Sequence, residues 1–139
     1  MSTEENKALA RSSFEEILNN VNLAIIDEVF SPNYVLHTPA GPVHGPEGFK
    51  QFVLMYRNAF PDARYTLEEM IAEGDKVVTR LTLSGTQHRA FMGIPATSKY
   101  ATVSDIEIFR IAGGKAVETW VQVDYLGLLQ QLGAIPPMR

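Results

Sequence analysis

The chain has 139 residues, 45% hydrophobic and 20% charged, with a formal net charge of -4 and no cysteine. That length suffices for one domain with a buried core, so residues 1–139 are expected to fold as a single unit. The acidic balance argues against a nucleic-acid partner, which asks for a basic face, and the lack of thiols excludes a disulfide framework, a thiolate metal site and a cysteine nucleophile.

Ser2 and Glu5 stand at capping-box spacing, and Ala8, Leu9, Phe14, Ile17 and Leu18 recur at helical intervals, so a first helix is expected to about Asn19. Leu23 to Phe30 reads as a second, shorter helix, stopped by Ser31 and Pro32. Tyr34 to His37 is a short extended piece, and residues 38–45, dense in proline and glycine, form a loop. Pro46 then suits a helix start, with Phe49, Phe52, Val53, Tyr56 and Phe60 on one apolar stripe. From Tyr65 the period changes to two. Strands are predicted over Tyr65–Glu73 and Lys76–Gln87, joined by Gly74 and Asp75, and over Tyr100–Ile111 and Lys115–Asp124, joined by Gly113 and Gly114. Between the pairs, Phe91 and Met92 lie in a loop. Asp124 is placed to cap a closing helix that ends at Gly133. Helices followed by antiparallel strands mean an α+β fold, with helices on one sheet face.

The last strand carries the most chemistry. Its alternation puts Glu118, Trp120, Gln122 and Asp124 on one face and Val117, Thr119, Val121 and Val123 on the other. An aromatic among an amide and carboxylates suggests the wall of a ligand pocket. The Gly113-Gly114 turn decides what shares that face. A two-residue turn groups Asp105 and Glu107 with Trp120; a bulged three-residue turn groups Thr102, Ser104, Ile106 and Ile108 with it instead. Four carboxylates on one face are unfavourable, so the bulged turn is expected, with Asp105, Glu107, Val121 and Val123 on the outer face. A second copy covering those valines would give a homodimer or higher homo-oligomer.

In order along the chain, Phe60-Pro61-Asp62, Ile71 to Asp75, Gly85-Thr86, Phe91 to Pro95, Phe109-Arg110, Gly114-Lys115, Glu118 to Trp120, Asp124 and Leu128 to Gly133 resemble the SnoaL-like polyketide cyclases of the nuclear transport factor 2-like superfamily. The resemblance implies a cone-shaped α+β barrel: a strongly curved, mostly antiparallel sheet with helices closing over a central pocket. It also implies ring closure of an aromatic polyketide ester by intramolecular aldol chemistry, without metal or cofactor. Asp124 matches the family's acid/base aspartate, and His37 matches a pocket-lining position. Two stretches depart from the family pattern near the expected pocket mouth: Gln87-His88-Arg89 and Ala96-Thr97-Ser98.

Each candidate has a plainer reading beside the chemical one. Asp124 is either an acid/base, if burial lifts its pKa, or a helix cap, whose amide donors would lower it. His37 either stabilises an enolate or bonds backbone at a loop entrance. Trp120 and Gln122 either hold a planar ring or belong to the core. Arg80 either binds a carboxylate or pairs with a glutamate at the surface. Phe91 and Met92 either form a mobile rim or pack under their loop. His37, His44 and His88 lack metal-ligand spacing, and no serine-nucleophile, P-loop or dinucleotide motif is present, so neither metal nor cofactor is expected.

The expected partner is a hydrophobic or aromatic small molecule, with no nucleic acid and no membrane. No apolar run approaches the ~20 residues of a membrane span, and the polar first residues do not read as a signal peptide, so a cytoplasmic protein is expected. Beside the cyclase reading stands a non-catalytic ligand-binding or oligomerisation module of the same fold. Epoxide hydrolysis is a weaker alternative. It resembles an Asp-Arg-Asp arrangement on one strand, whereas Arg110 is flanked at two residues by Ile108 and Ala112, and Arg80 by Val78 and Thr82.

Overall fold

The computed structural model describes residues 2–136. The Ser2 side chain accepts a hydrogen bond from the Glu5 amide and the Glu5 carboxylate accepts one from the Ser2 amide, so the expected capping box starts α1 (Thr3–Ser12). The helix widens into π-helical turns over Ser13–Asn19, which bury Phe14, Ile17 and Leu18. The expected second helix shrinks to a 3-10 turn, Leu23–Ile25, and α2 (Ile26–Val29). Ser31 and Pro32 do not break the chain there. They lie inside β1 (Phe30–Thr38), which is longer than the extended piece expected.

The expected loop over residues 38–45 is a hairpin. β2 (Gly41–His44) pairs antiparallel with β1 at the edge of the sheet, where Pro42 has no ladder bond to give up. α3 (Gly45–Ala59) follows, then β3 (Arg64–Glu73), β4 (Lys76–Thr86), β5 (Tyr100–Ala112), β6 (Lys115–Val123) and α4 (Tyr125–Gln131). The strands form one curved, unclosed sheet in the order β2-β1-β6-β5-β4-β3. The β1–β6 pair is parallel, a long-range contact that local periodicity does not encode.

One face of this sheet meets the helices. Val77, Thr79 and Leu81 of β4, Ala101, Val103, Phe109 and Ile111 of β5, and Ala116, Thr119 and Val121 of β6 are buried there. α1 packs on β3 and β4, and α3 on β1. Phe14 meets Phe109 edge-on at 5.6 Å, and Phe30 lies 4.4 Å from both Tyr34 and Phe49 between ring centroids. A smaller core joins α4 to the end of α3 and to the loop after β4 through Phe60, Phe91, Val103, Leu128 and Leu132. Among the described residues no helix is long and apolar enough to cross a membrane.

Candidate functional site

The Gly113-Gly114 turn settles differently from either expectation. Both glycines have positive φ, 59° and 77°, as a two-residue hairpin turn requires, and Ala112 pairs with Lys115. One extra residue, Val117, then bulges β6, so that Arg110 faces Glu118, Ile108 faces Trp120 and Ile106 faces Gln122. Ile106 and Ile108 share a face with Trp120 and Gln122, as expected. Inside and outside, however, are exchanged. That shared face is the outer, convex one, and Asp105, Glu107, Val121 and Val123 look inward under the helices.

The reason lies at the ends of β5. Asp105 and Glu107 have the same parity as Ala101, Val103, Phe109 and Ile111, whose combined apolar area commits that face to the core. The β4 register does the same, setting Leu81 opposite Asp105 and Thr79 opposite Glu107. Two carboxyl groups are carried inward with their neighbours.

There they line a hollow with Ser13, Tyr34, Phe49, Tyr56, Tyr65, Leu83, Phe109, Val121 and Val123. Asp105 is 1% exposed and Glu107 7%. Among the described residues neither oxygen of Asp105 has a hydrogen-bond partner. Burial, then the negative charge of Asp105, pushes the Glu107 carboxyl well above the usual range; burial also raises Asp105. With like charges this close in a dry site, the pair retains a proton at a pH where free carboxyls have lost theirs.

The hollow encloses ≈ 410 Å³ counting its mouth, but the side chains leave only ≈ 20 Å³ for the centre of a water molecule. That is room for about one water, so a larger ligand must part the lining. Tyr56, Tyr65, Leu83 and Val123 also border a mostly apolar vestibule of ≈ 420 Å³ counting its open mouth, of which ≈ 40 Å³ is free for the centre of a water molecule; Phe60, Ala63, Arg64, Ser84, Gly85, Ala101, Val103 and Leu128 complete it. Tyr34 donates to Thr119 Oγ1 at 2.8 Å, and the Tyr56 hydroxyl meets that of Tyr125.

The residues singled out from the sequence lie elsewhere. Asp124 is exposed at the start of α4, where Oδ1 accepts from the Gly127 amide at 2.9 Å: the cap geometry. A Cβ at 127 would stand 2.3 Å from Asp124 Oδ2, so a larger residue there would make the capping carboxylate shift. His37 and Trp120 are half-buried on the outer face and stack at 5.4 Å, while Gln122 beside them is exposed. His37 Nε2 lies 2.7 Å from Glu118 Oε2, and Arg110 Nε donates to Glu118 Oε1 at 3.1 Å. His37, then Arg110, hold the Glu118 carboxyl below its usual range. Arg80, exposed, pairs with Glu69 at 3.0 Å on the same face. His37, Trp120 and Gln122 thus lie together, on the side of the sheet away from the hollow.

Phe91 is buried and packs on Tyr56 and Phe60, so it anchors the loop after β4 from beneath; Met92 is exposed at φ 50°. The two departures from the family pattern meet each other. Gln87, fully buried, donates to Ile94 O and accepts from the amide and hydroxyl of Thr97, closing that loop on itself. Among the described residues no group of three or more His, Cys, Asp or Glu is placed to hold a metal ion.

Residues 8–132 match the family profile described as SnoaL-like polyketide cyclase. The chain is 33% identical over 111 residues to aklanonic acid methyl ester cyclase DauD of Streptomyces sp. (strain C5), covering 78% of this chain and 67% of that one. It is 31% identical over 113 residues to the nogalonic acid methyl ester cyclase of Streptomyces nogalater, covering 78% and 83%. The structure of TsrD from Streptomyces laurentii superposes with a TM-score of 0.88 at 32% identity, over 97% of this chain and 99% of that one.

Proposed function

Since this chain belongs to the SnoaL-like polyketide cyclase family, a family of cyclase-type enzymes, we propose that it closes a ring in a polyketide-like carbonyl ester by an intramolecular aldol reaction, with Asp105 as the base and Glu107 as the acid. The relatives that act on aklanonic and nogalonic acid methyl esters support that substrate class. The observation that carries the assignment is the buried Asp105–Glu107 pair facing a hollow otherwise lined by apolar side chains, Ser13 and three tyrosines.

Asp105 takes a proton from the carbon between two carbonyl groups, and the resulting enolate attacks a second carbonyl carbon of the same molecule. One carbon–carbon bond forms, and the new alkoxide takes the proton of Glu107. Transfer of the captured proton from Asp105 to Glu107 restores the pair. The pair supplies both acceptor and donor, so the reaction balances without metal or cofactor. Paired titratable groups with separated pKa values are the pattern expected of such an assignment.

The test is turnover of aklanonic and nogalonic acid methyl esters by Asp105→Asn, Glu107→Gln and Asp124→Asn. The first two are expected to lose about 10²–10⁴-fold in kcat, while Asp124→Asn, which retains the cap, keeps its rate. Full activity in Asp105→Asn overturns the assignment. Loss confined to Asp124→Asn returns the chemistry to the end of β6.

We also propose that a second copy covers the convex face. Ile71, Val78, Ile108 and Trp120 are register partners in one row across four strands, with Ile106 beside them. Ile71 is 59% exposed and Ile106 50%. The Glu69–Arg80 pair on one side and the Arg110–Glu118–His37 cluster on the other give the row a charged rim of both signs, which suits a self-complementary two-fold contact. Sedimentation should show a dimer or larger assembly that Ile106→Glu dissociates; a monomeric parent protein rules this out.

A further inference from the structure

The hydroxyls of Tyr56 and Tyr125 meet although the residues lie on different helices, and this contact does more than join α3 to α4. Two phenols in contact spend one proton between their oxygens and leave the other free. Of the two, Tyr56 borders both the hollow and the vestibule. When Tyr125 donates to Tyr56, the free proton belongs to Tyr56 and is available to an oxygen held beside Asp105. The Tyr56 ring is fixed for the purpose, packed between Phe52 at 4.7 Å and Phe91 at 5.1 Å. Tyr56 and Asp105 line the same hollow, and neither oxygen of Asp105 has a hydrogen-bond partner, so a substrate that parts the lining can reach both.

The chemistry has a place for such a donor. When Asp105 removes a carbon-bound proton, negative charge develops on the adjacent carbonyl oxygen. The Glu107 proton is needed later, at the alkoxide. A neutral donor preorganised in a dry site stabilises that first oxyanion without itself being deprotonated. Burial holds both Tyr56 and Tyr125 in the neutral form, raising each above its usual range.

Resting on the acid/base reading above, we infer that Tyr56 is a catalytic residue, donating to the enolate oxygen, and that Tyr125 is the positioning residue that polarises and aims it. A hydrogen bond accepted by Tyr56 from Tyr125 strengthens the one Tyr56 donates. The site then takes a planar β-dicarbonyl ester, bound with its enolisable carbonyl on Tyr56.

Tyr56→Phe, Tyr125→Phe and the double variant remove oxygen and little else. Their melting curves would be compared with the parent before steady-state turnover of aklanonic acid methyl ester. Loss of one oxyanion donor in Tyr56→Phe is expected to lower kcat by about 10²-fold with little change in KM. Tyr125→Phe should lower it less, and the double variant should match Tyr56→Phe, because Tyr125 acts only through Tyr56.

A second measurement does not need turnover. Ring-substituted 2-naphthols of graded acidity are titrated into the parent and Tyr56→Phe, with absorbance reporting ionisation. Affinity should rise with probe acidity in the parent and much less steeply in the variant. Parent kcat in Tyr56→Phe while Asp105→Asn is inactive removes Tyr56 and leaves the cyclase reading standing. Full activity in Asp105→Asn removes that reading, and the naphthol slopes then decide Tyr56 alone. Equal slopes, or no naphthol binding, overturn the donor; additive losses in the double variant overturn the role of Tyr125.

Discussion

Replacing Glu107 by glutamine should flatten the dependence of stability on pH, and by a calculable amount. The Glu107 carboxyl is raised well above its ordinary value by burial and by Asp105, whereas in the unfolded chain a glutamate ionises near ~4.3. Between those two pH values the unfolded state has lost a proton that the native state keeps. The number of protons bound in U minus that in N is then -1, so stability falls by about 1.4 kcal/mol per pH unit as pH rises through the window. The contribution is complete below the unfolded pKa and gone once pH passes the folded one. For a chain of 139 residues this corresponds to a drop in Tm of about 5 °C per pH unit. Glu107→Gln removes that proton and keeps the shape of the side chain. Subtracting its stability curve from that of the parent cancels the titrating groups the two share apart from Asp105, whose own titration changes with its neighbour. The assay is urea denaturation of both proteins at intervals between pH 5 and 9. Parallel curves would show that the buried carboxyl ionises as freely as in water, and the acid/base pair would lose its physical basis.

Three further outcomes follow from single contacts. Asp124→Ala should lower stability by about 1 kcal/mol and Asp124→Asn by much less, since Asn caps as well as Asp; equal losses in urea denaturation would mean the contact with Gly127 is not a working cap. Arg57 donates to the carbonyls of Leu18, Asn19, Pro61 and Ala63, tying the end of the π-helical turns to the C-terminus of α3. Arg57→Met should therefore cost at least about 2 kcal/mol, each bond being charge-assisted, and a loss under 0.5 kcal/mol would contradict that geometry. Gln87→Leu leaves the Ile94 carbonyl and Thr97 without their buried partner, at a cost of about 1–3 kcal/mol. The change should appear as faster hydrogen exchange over residues 87–99 with little change in the sheet.

Local chemistry already determined much of this protein. Ser2 and Glu5 announce the first helix, Gly74 and the Gly113-Gly114 pair place the hairpins, and Asp124 with Gly127 starts the last helix. The ordered motifs from Phe60 to Gly133 carried the family. Alternation along β5 and β6 also said which residues share a face, because parity is a property of the strand alone. Which of the two faces meets the helices is a different question. It depends on apolar area summed over β4, β5 and β6 after pairing, and on one bulged residue, Val117, whose position no turn signal announces. A tryptophan on one face outweighed Ala101, Val103, Phe109 and Ile111 on the other when read strand by strand; assembled, the second set decides. The carboxyl pair therefore became visible only once the sheet curved under the helices. The contacts of Tyr56 with Tyr125, and of β1 with β6, join parts of the chain far apart in sequence. Such contacts come into being when the whole chain condenses, and no local pattern of residues writes them down.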